Sequence, residues 1–229
     1  MAPGLPHPAD TPEKARMKIG LMGYPRAGKD TVCEILATMM PLTRLAFGDM
    51  IKVELAEAFN LTLDAFNALP KDDPVPQLAL KNCNDRSYCD VAACYTSKTL
   101  AEIGELPRSM RYHQRMWATQ YKRNIISDRY WVVPVYKQLV DIVSHDPNHS
   151  VVITDVRHYV EIDAIEHEGF ELWRVDNNRI PVRTDHESEL EWPKIAPTRV
   201  IENHGTLDDL RATVTQALRD AKAQALAPA

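Results

Sequence analysis

No stretch of this sequence approaches the roughly 20 consecutive apolar residues that a bilayer-spanning helix needs. The opening Met1-Ala-Pro-Gly-Leu-Pro-His-Pro also lacks the charged-then-apolar order of a secretory signal. A cytoplasmic protein with no membrane partner is therefore expected. Basic excess is missing too: 27 Lys and Arg against 32 Asp and Glu leave a net charge of −5. A broad nucleic-acid footprint neutralises many phosphates and carries the opposite sign, so nucleic acid is not an expected partner. Cysteine is scarce and badly spaced for zinc. Zinc knuckles pair ligands two to four residues apart, whereas Cys83, Cys89 and Cys94 have five and four residues between them and no matched pair downstream. With Cys33, these are expected to be reduced thiols. There is no internal repeat and no low-complexity tract.

What is present suits one sizeable α/β domain with an elaborated lid: 229 residues, 45% of them hydrophobic. Four prolines among the first sixteen residues point to a disordered leader over 1–16, with a single domain over 17–229. A short apolar run, 18–22, precedes a glycine-bearing turn and an apolar-periodic helix over 29–40 that stops at Pro41. A strand over 43–47 and a helix opening at Asp49 follow. The segment 60–107 is broken by Pro70, Pro74 and Pro76 and reads as an insert covering a substrate. Helical periodicity returns over 108–121 and 130–143, the latter tolerating Pro134 in its first turn. The β-branched run 150–154, a helix to Glu168, Gly169 as its cap and a strand over 170–175 make a second strand–helix–strand unit. A polar lid over 176–197, a strand over 198–201 and a helix over 207–225 capped by Thr206 complete the chain. Strands alternating with helices predict a three-layer fold, a parallel sheet with helices on both faces.

Gly23-Tyr24-Pro25-Arg26-Ala27-Gly28-Lys29 fits G-x-x-x-x-G-K between a predicted strand and a predicted helix, the context of a Walker A phosphate-binding loop. In such a loop backbone N–H groups and the helix's positive end face phosphates, and Lys29 reaches the β- and γ-oxygens. Arg26 is placed to add charge, and Gly23, Ala27 and Gly28 to supply the cradle. The next residue is Asp30 rather than the usual Ser or Thr, with the hydroxyl one place later at Thr31. A carboxylate beside a triphosphate is repelled unless Mg²⁺ lies between, so Asp30 and Thr31 are both candidate metal partners.

Asp155 ends the run 151–155, and ligands of open α/β sheets gather at carboxyl ends of strands. It reads as a Walker-B-like carboxylate for Mg²⁺ or its waters, followed by Arg157 and, one turn on, Glu161. Capping of the next helix is the structural alternative for Asp155, and a surface pair that for Arg157 and Glu161. Arg108, Arg111 and Arg115 recur on one helical face. Like charges repel there unless an anion sits among them, and a guanidinium fork suits phosphate, although a solvated basic face has the same spacing. Gln114, with a paired donor and acceptor, can read a base edge. In the lid, Arg179 and Arg183 are candidates to neutralise a transferring phosphoryl group, and His186 is the weaker candidate base.

Taken together these residues resemble the phage deoxynucleoside monophosphate kinases of the P-loop kinase superfamily. The likeness rests on Gly28-Lys29-Asp30-Thr31, Phe47-Gly48-Asp49 through Lys52, Gln114 through Thr119 to Arg123, Tyr130-Trp131-Val132, Thr154-Asp155-Val156-Arg157 with Glu161, His186-Glu187-Ser188-Glu189 and Ile201-Glu202-Asn203-His204-Gly205. Ala118 stands where that family has Gly, and the insert matches poorly. The resemblance implies a P-loop kinase fold, ATP and Mg²⁺ as cosubstrates, and a deoxynucleoside monophosphate as acceptor. It implies an acceptor site drawing on Lys52, Arg111, Trp131, Asp155, Arg157 and Glu161, with Arg86 or Lys81 supplying a phosphate contact from the insert. Lys29, Arg26, Asp155 and Arg157 are the expected catalytic groups, and a homodimer is left open. Similar motifs occur in animal phosphomevalonate kinases and in phage kinases acting on 5-hydroxymethyluracil within DNA. Trp117, Tyr130 and Trp131 are expected to offer stacking surface to a base, which favours the nucleotide.

Overall fold

The structure, a computed structural model, describes residues 16–181 and 190–226. Arg183, His186 and the rest of the motif 186–189 lie outside the described residues, as does most of the leader. The chain divides into two compact units. One comprises the chain up to Arg44 with Leu139–Thr154 and Glu166 onward; the other comprises Leu45–Gln138 and Asp155–Ile165.

The first unit holds the sheet. Its strands are β1 (Lys18–Met22), β2 (Leu42–Leu45), β3 (Ser150–Ile153), β4 (Glu171–Asp176) and β5 (Arg199–Glu202), ordered β2-β3-β1-β4-β5. β1 pairs in parallel with both β3 and β4, and β4 with β5. Every residue of β1 and β3 is buried, the mark of strands covered on both faces. The expected α/β sandwich with a parallel sheet is thus the observed architecture. Helix α1 (Lys29–Met39) and helix α9 (Leu207–Ala225) close one face. Val32, Ile35 and Leu36 join Leu210, Val214 and Leu218 over Ile19, Leu21, Trp173, Val175 and Ile201. The i, i+4, i+8 spacing on α9 puts its three apolar side chains on one stripe. Thr206 and Asp209 cap α9 reciprocally, as the sequence predicts for its start. Among the described residues no helix is long and apolar enough to cross a membrane.

The second unit is helical. It contains α2 (Phe47–Ala58), α3 (Leu63–Asn67), α4 (Arg86–Thr96), α5 (Leu100–Ile103) and α6 (Met110–Arg115), which runs on into a wider π-type helix over Met116–Ile126. Half of α7 (Val132–His145) and most of α8 (Tyr159–His167) follow, the rest of each belonging to the first unit. The helix predicted over 108–121 therefore starts later, at the Ser109 cap, and ends later. In a π-helix the i→i+5 bonding lets side chains four and five apart share a face. Trp117, Tyr121 and Lys122 do so: the Lys122 ammonium lies 4.7 and 4.6 Å from the two ring centroids and 5.0 Å from that of Tyr130.

A buried polar chain ties this unit together. His113, with no exposed surface, makes a 2.7 Å bond with Leu78 O through Nε2 and a 2.6 Å bond with the Tyr88 hydroxyl through Nδ1. A carbonyl can only accept, so Nε2 carries the proton and Nδ1 accepts from Tyr88. Burial foremost, and then the nearby Arg108 charge, push the imidazole's pKa down to about 4. The unfolded chain takes up a proton near 6.5 that the folded ring refuses, so this stability is complete above pH 6.5 and is lost as pH falls toward 4. The expected loss is up to about 1.4 kcal/mol per pH unit across that window. Urea unfolding at pH 7.5 and 5.5 checks it; an equal slope in wild type and His113→Gln would remove His113 as the cause.

Candidate functional site

Loop 23–28 joins β1 to α1, and three of its residues have positive φ. Gly23, Arg26 and Gly28 have φ of 143°, 69° and 106°. A Cβ at Gly23 would lie 2.6 Å from Val175 O, so the first glycine is required by the close passage of β4 as well as by its φ. Lys29, 8% exposed, donates its ammonium to Gly23 O at 2.7 Å and Tyr24 O at 3.0 Å. Tyr24 packs edge-on against the buried Trp192, ring centroids 4.7 Å apart. Arg26 is exposed and Ala27 buried. Asp30 sits in the first turn of α1, largely solvent-exposed and 4.0 Å from Arg44; Thr31 follows, half-buried. Arg179, expected as a mobile lid cation, donates to His204 O at 2.7 Å and Gly205 O at 3.3 Å. In this structure it fastens the loop after β5.

In the helical unit Asp155, the expected metal carboxylate, is held by main-chain amides. Its Oδ1 accepts from Phe47 N at 2.8 Å and its Oδ2 from Gly48 N at 2.7 Å. It thus caps α2, not the helix next along the chain, and for that reason α2 opens at Phe47 instead of Asp49. Burial first, and the nearby Glu161 charge second, raise its pKa against these amide bonds and Arg157. Glu161, 2% exposed, accepts from the main chain of Arg157 and His158 at 2.8 and 3.1 Å through Oε2, and Arg123 bonds its Oε1. Both carboxylates therefore hold backbone at helix starts. Among the described residues no group of three or more His, Cys, Asp or Glu side chains forms a metal cage.

The cationic groups also rearrange relative to expectation. Arg108 precedes α6 and stacks over Tyr112 at 4.7 Å, while Arg111 pairs with Asp72. Arg108 therefore leaves the helical face it was expected to share with Arg111 and Arg115. Lys52 lies 3.9 Å from Asp49, and Gln114 is half-buried on α6. Arg86 is on the outer face of α4 in an exposed pair with Asp90 at 3.8 Å, and Lys81 is paired with Glu105 at the surface. Lys71, which the sequence reading did not single out, is a surface residue. Desolvation first, then the positive fields of Arg111 and Lys52, and at smaller weight Arg157, lower its pKa against the opposing Asp72. The only sequence signal was a lone lysine just after Pro70.

Trp117 and Trp131 are not exposed as a stacking surface. Trp131 is 1% exposed with its indole N–H given to Ala118 O at 3.1 Å, and Trp117 is 3% exposed. Trp117 and the Tyr130 hydroxyl donate to Glu54 at 2.7 and 2.8 Å. Glu54 also lies 3.6 Å from the Lys122 ammonium that the rings surround.

No protein-family model matches the chain. A protein of Acanthamoeba polyphaga mimivirus, provisionally named a deoxynucleotide monophosphate kinase, is 26% identical over 209 residues, covering 89% of this chain and 96% of the relative. Among solved structures, TT1252 of Thermus thermophilus superposes with a TM-score of 0.44 and 18% identity, covering 94% of this chain and all of the other. At that distance the likeness carries no functional argument.

Proposed function

We propose that this protein is a kinase that transfers the γ-phosphoryl group of ATP to a deoxynucleoside monophosphate, giving the diphosphate and ADP. The observation that carries the proposal is the loop between β1 and α1. Two glycines and Arg26 at positive φ curl it ahead of a helix N-terminus, with a lysine inside the curl. That arrangement binds a polyphosphate tail. The name of the mimiviral relative supports nucleotide kinase chemistry and points to a deoxynucleotide acceptor.

The reaction forms a bond between an acceptor phosphate oxygen and the γ-phosphorus and breaks the bond from that phosphorus to the β-bridging oxygen, which leaves with ADP. The acceptor oxygen is already ionised, so no general base is needed and catalysis is positioning and charge neutralisation. Lys29 exchanges its carbonyl partners for β- and γ-oxygens, and the loop N–H groups hold the tail. Asp30 and Thr31, at the head of α1, suit Mg²⁺, which keeps several waters and needs only one or two protein oxygens beside the phosphates. Bound there, the ion would offset charge on the β- and γ-phosphates. Asp155, both of whose oxygens already accept amide hydrogens, suits it less. In the helical unit Lys71, Lys52, Arg111 and Arg157 supply the positive field for the acceptor phosphate.

The test is ADP release with Mg·ATP and each deoxynucleoside monophosphate in turn. Turnover on one or more supports the proposal. Turnover only on an isoprenoid monophosphate, or only on hydroxymethylpyrimidine DNA, replaces the acceptor; no acceptor-dependent turnover overturns the kinase. Within that assay, Lys71→Ala is expected to raise the acceptor KM about tenfold and leave the ATP KM unchanged, the size of one charge-assisted contact. An unchanged acceptor KM would take Lys71 out of the site.

A further inference from the structure

The turn after β5 reaches the phosphate-binding loop through one side chain. Asn203 donates its Nδ2–H to Ala27 O at 2.8 Å, across 176 residues of sequence. Its amide lies so near Gly28 that a Cβ built there would fall 2.4 Å from Nδ2. Asn203 is itself held from several sides. Its main-chain N–H donates to Asp176 O at 2.8 Å, extending the β4–β5 pairing by one step. The Arg179 guanidinium ties down the next two carbonyls, and the reciprocal Thr206–Asp209 cap fixes the start of α9.

The peptide between Ala27 and Gly28 is planar and trans, so its C=O and N–H point in opposite directions. A carbonyl tied to Asn203 aims the Gly28 N–H to the other side, and removes the peptide flip that a neighbouring glycine would otherwise permit. We propose that Asn203 is a positioning residue for the nucleotide. It orients the Ala27–Gly28 peptide so that an N–H, and not a carbonyl oxygen, is presented to the phosphates before ATP arrives. This rests on reading loop 23–31 as the ATP site. A flipped peptide would turn its oxygen dipole on an anion and lose one of the donors the cradle depends on.

Asn203→Asp keeps the size, removes the donor and sets a carboxylate against the carbonyl; Asn203→Ala removes the contact alone. ATP affinity by calorimetry, and kcat with KM for each substrate, are to be measured for wild type and both variants, with thermal melts as a check on folding. Wild type is expected to bind ATP. Both variants are expected to weaken ATP binding at least tenfold, the aspartate more than the alanine, and to raise the ATP KM in step while the acceptor KM stays within twofold. Should the aspartate variant fail to melt cooperatively, the alanine variant decides. Folded variants that bind ATP within twofold of wild type, or that raise both KM values alike, overturn the positioning role and leave the loop assignment standing. A wild type that does not bind ATP overturns the loop assignment and the inference with it.

Discussion

Lys29→Ala is expected to lower turnover by about 10³ while the protein still unfolds cooperatively, since one preorganised charge aimed at a transferring phosphoryl group contributes on that scale. The size follows from where the ammonium sits. Lys29 is the first residue of α1, is 8% exposed, and hydrogen-bonds two carbonyls of its own loop at 2.7 and 3.0 Å. That position puts a full charge inside the curl, where low solvent access keeps it from being screened. The stability cost of its removal is expected to be small, about 1 kcal/mol per lost bond, because the bonds lost are to neutral carbonyls. Lys29→Arg should fail nearly as badly, its planar fork being unable to occupy a point-charge position. Steady-state kinetics with saturating acceptor, beside a denaturant melt, separates the two effects. A Lys29→Ala protein within tenfold of wild type would show that transfer does not occur at this loop.

Glu161→Gln is expected to carry the largest stability cost in the helical unit, about 4 kcal/mol. The Glu161 and Arg123 side chains are 2% and 11% exposed and joined by an ion pair, so neutralising the carboxylate strands a buried guanidinium. The same carboxylate also receives the Arg157 and His158 amides at the start of α8. Adding Arg123→Met should recover part of the loss, since a neutral, apolar replacement removes the stranded charge. A second readout is independent of stability. Glu161 helps to raise the Asp155 pKa, so its neutralisation should move that pKa down, followed by carboxyl chemical shift against pH. Urea unfolding that shifts by less than about 1 kcal/mol would refute the buried-pair account.

The turn joining β1 to α1 was legible because its signals are adjacent: a glycine-bearing turn, a lysine, an apolar run before it and an apolar-periodic run after. The Thr206 start of α9 and the place of Pro134 in the first turn of α7 were legible for the same reason. Helix α4 was not. Its buried positions are Tyr88, Cys89, Ala92 and Ala93, and small side chains give a weak periodic signal even with the Asp85 cap in place. The stacking role expected of Trp117 and Trp131 failed because an aromatic side chain reads alike whether it faces a ligand or, as here, a neighbouring carboxylate, carbonyl or lysine.

What the sequence determined by itself is therefore whatever depends on residues within a turn or two of each other: the strands and the strongly periodic helices, where proline and glycine end them, and the glycine-bearing turn ahead of α1. Tertiary structure alone decided the roles that depend on a distant partner. Asp155 caps a helix start 108 residues away, Asn203 fastens a peptide 176 residues away, and the Lys71 pKa is lowered in part because Arg111, Lys52 and Arg157 are brought near it. The physical reason is reach. Backbone preference and hydrophobic period act along the chain, whereas hydrogen bonds and charge act through space, and spatial neighbours exist only once the chain has folded.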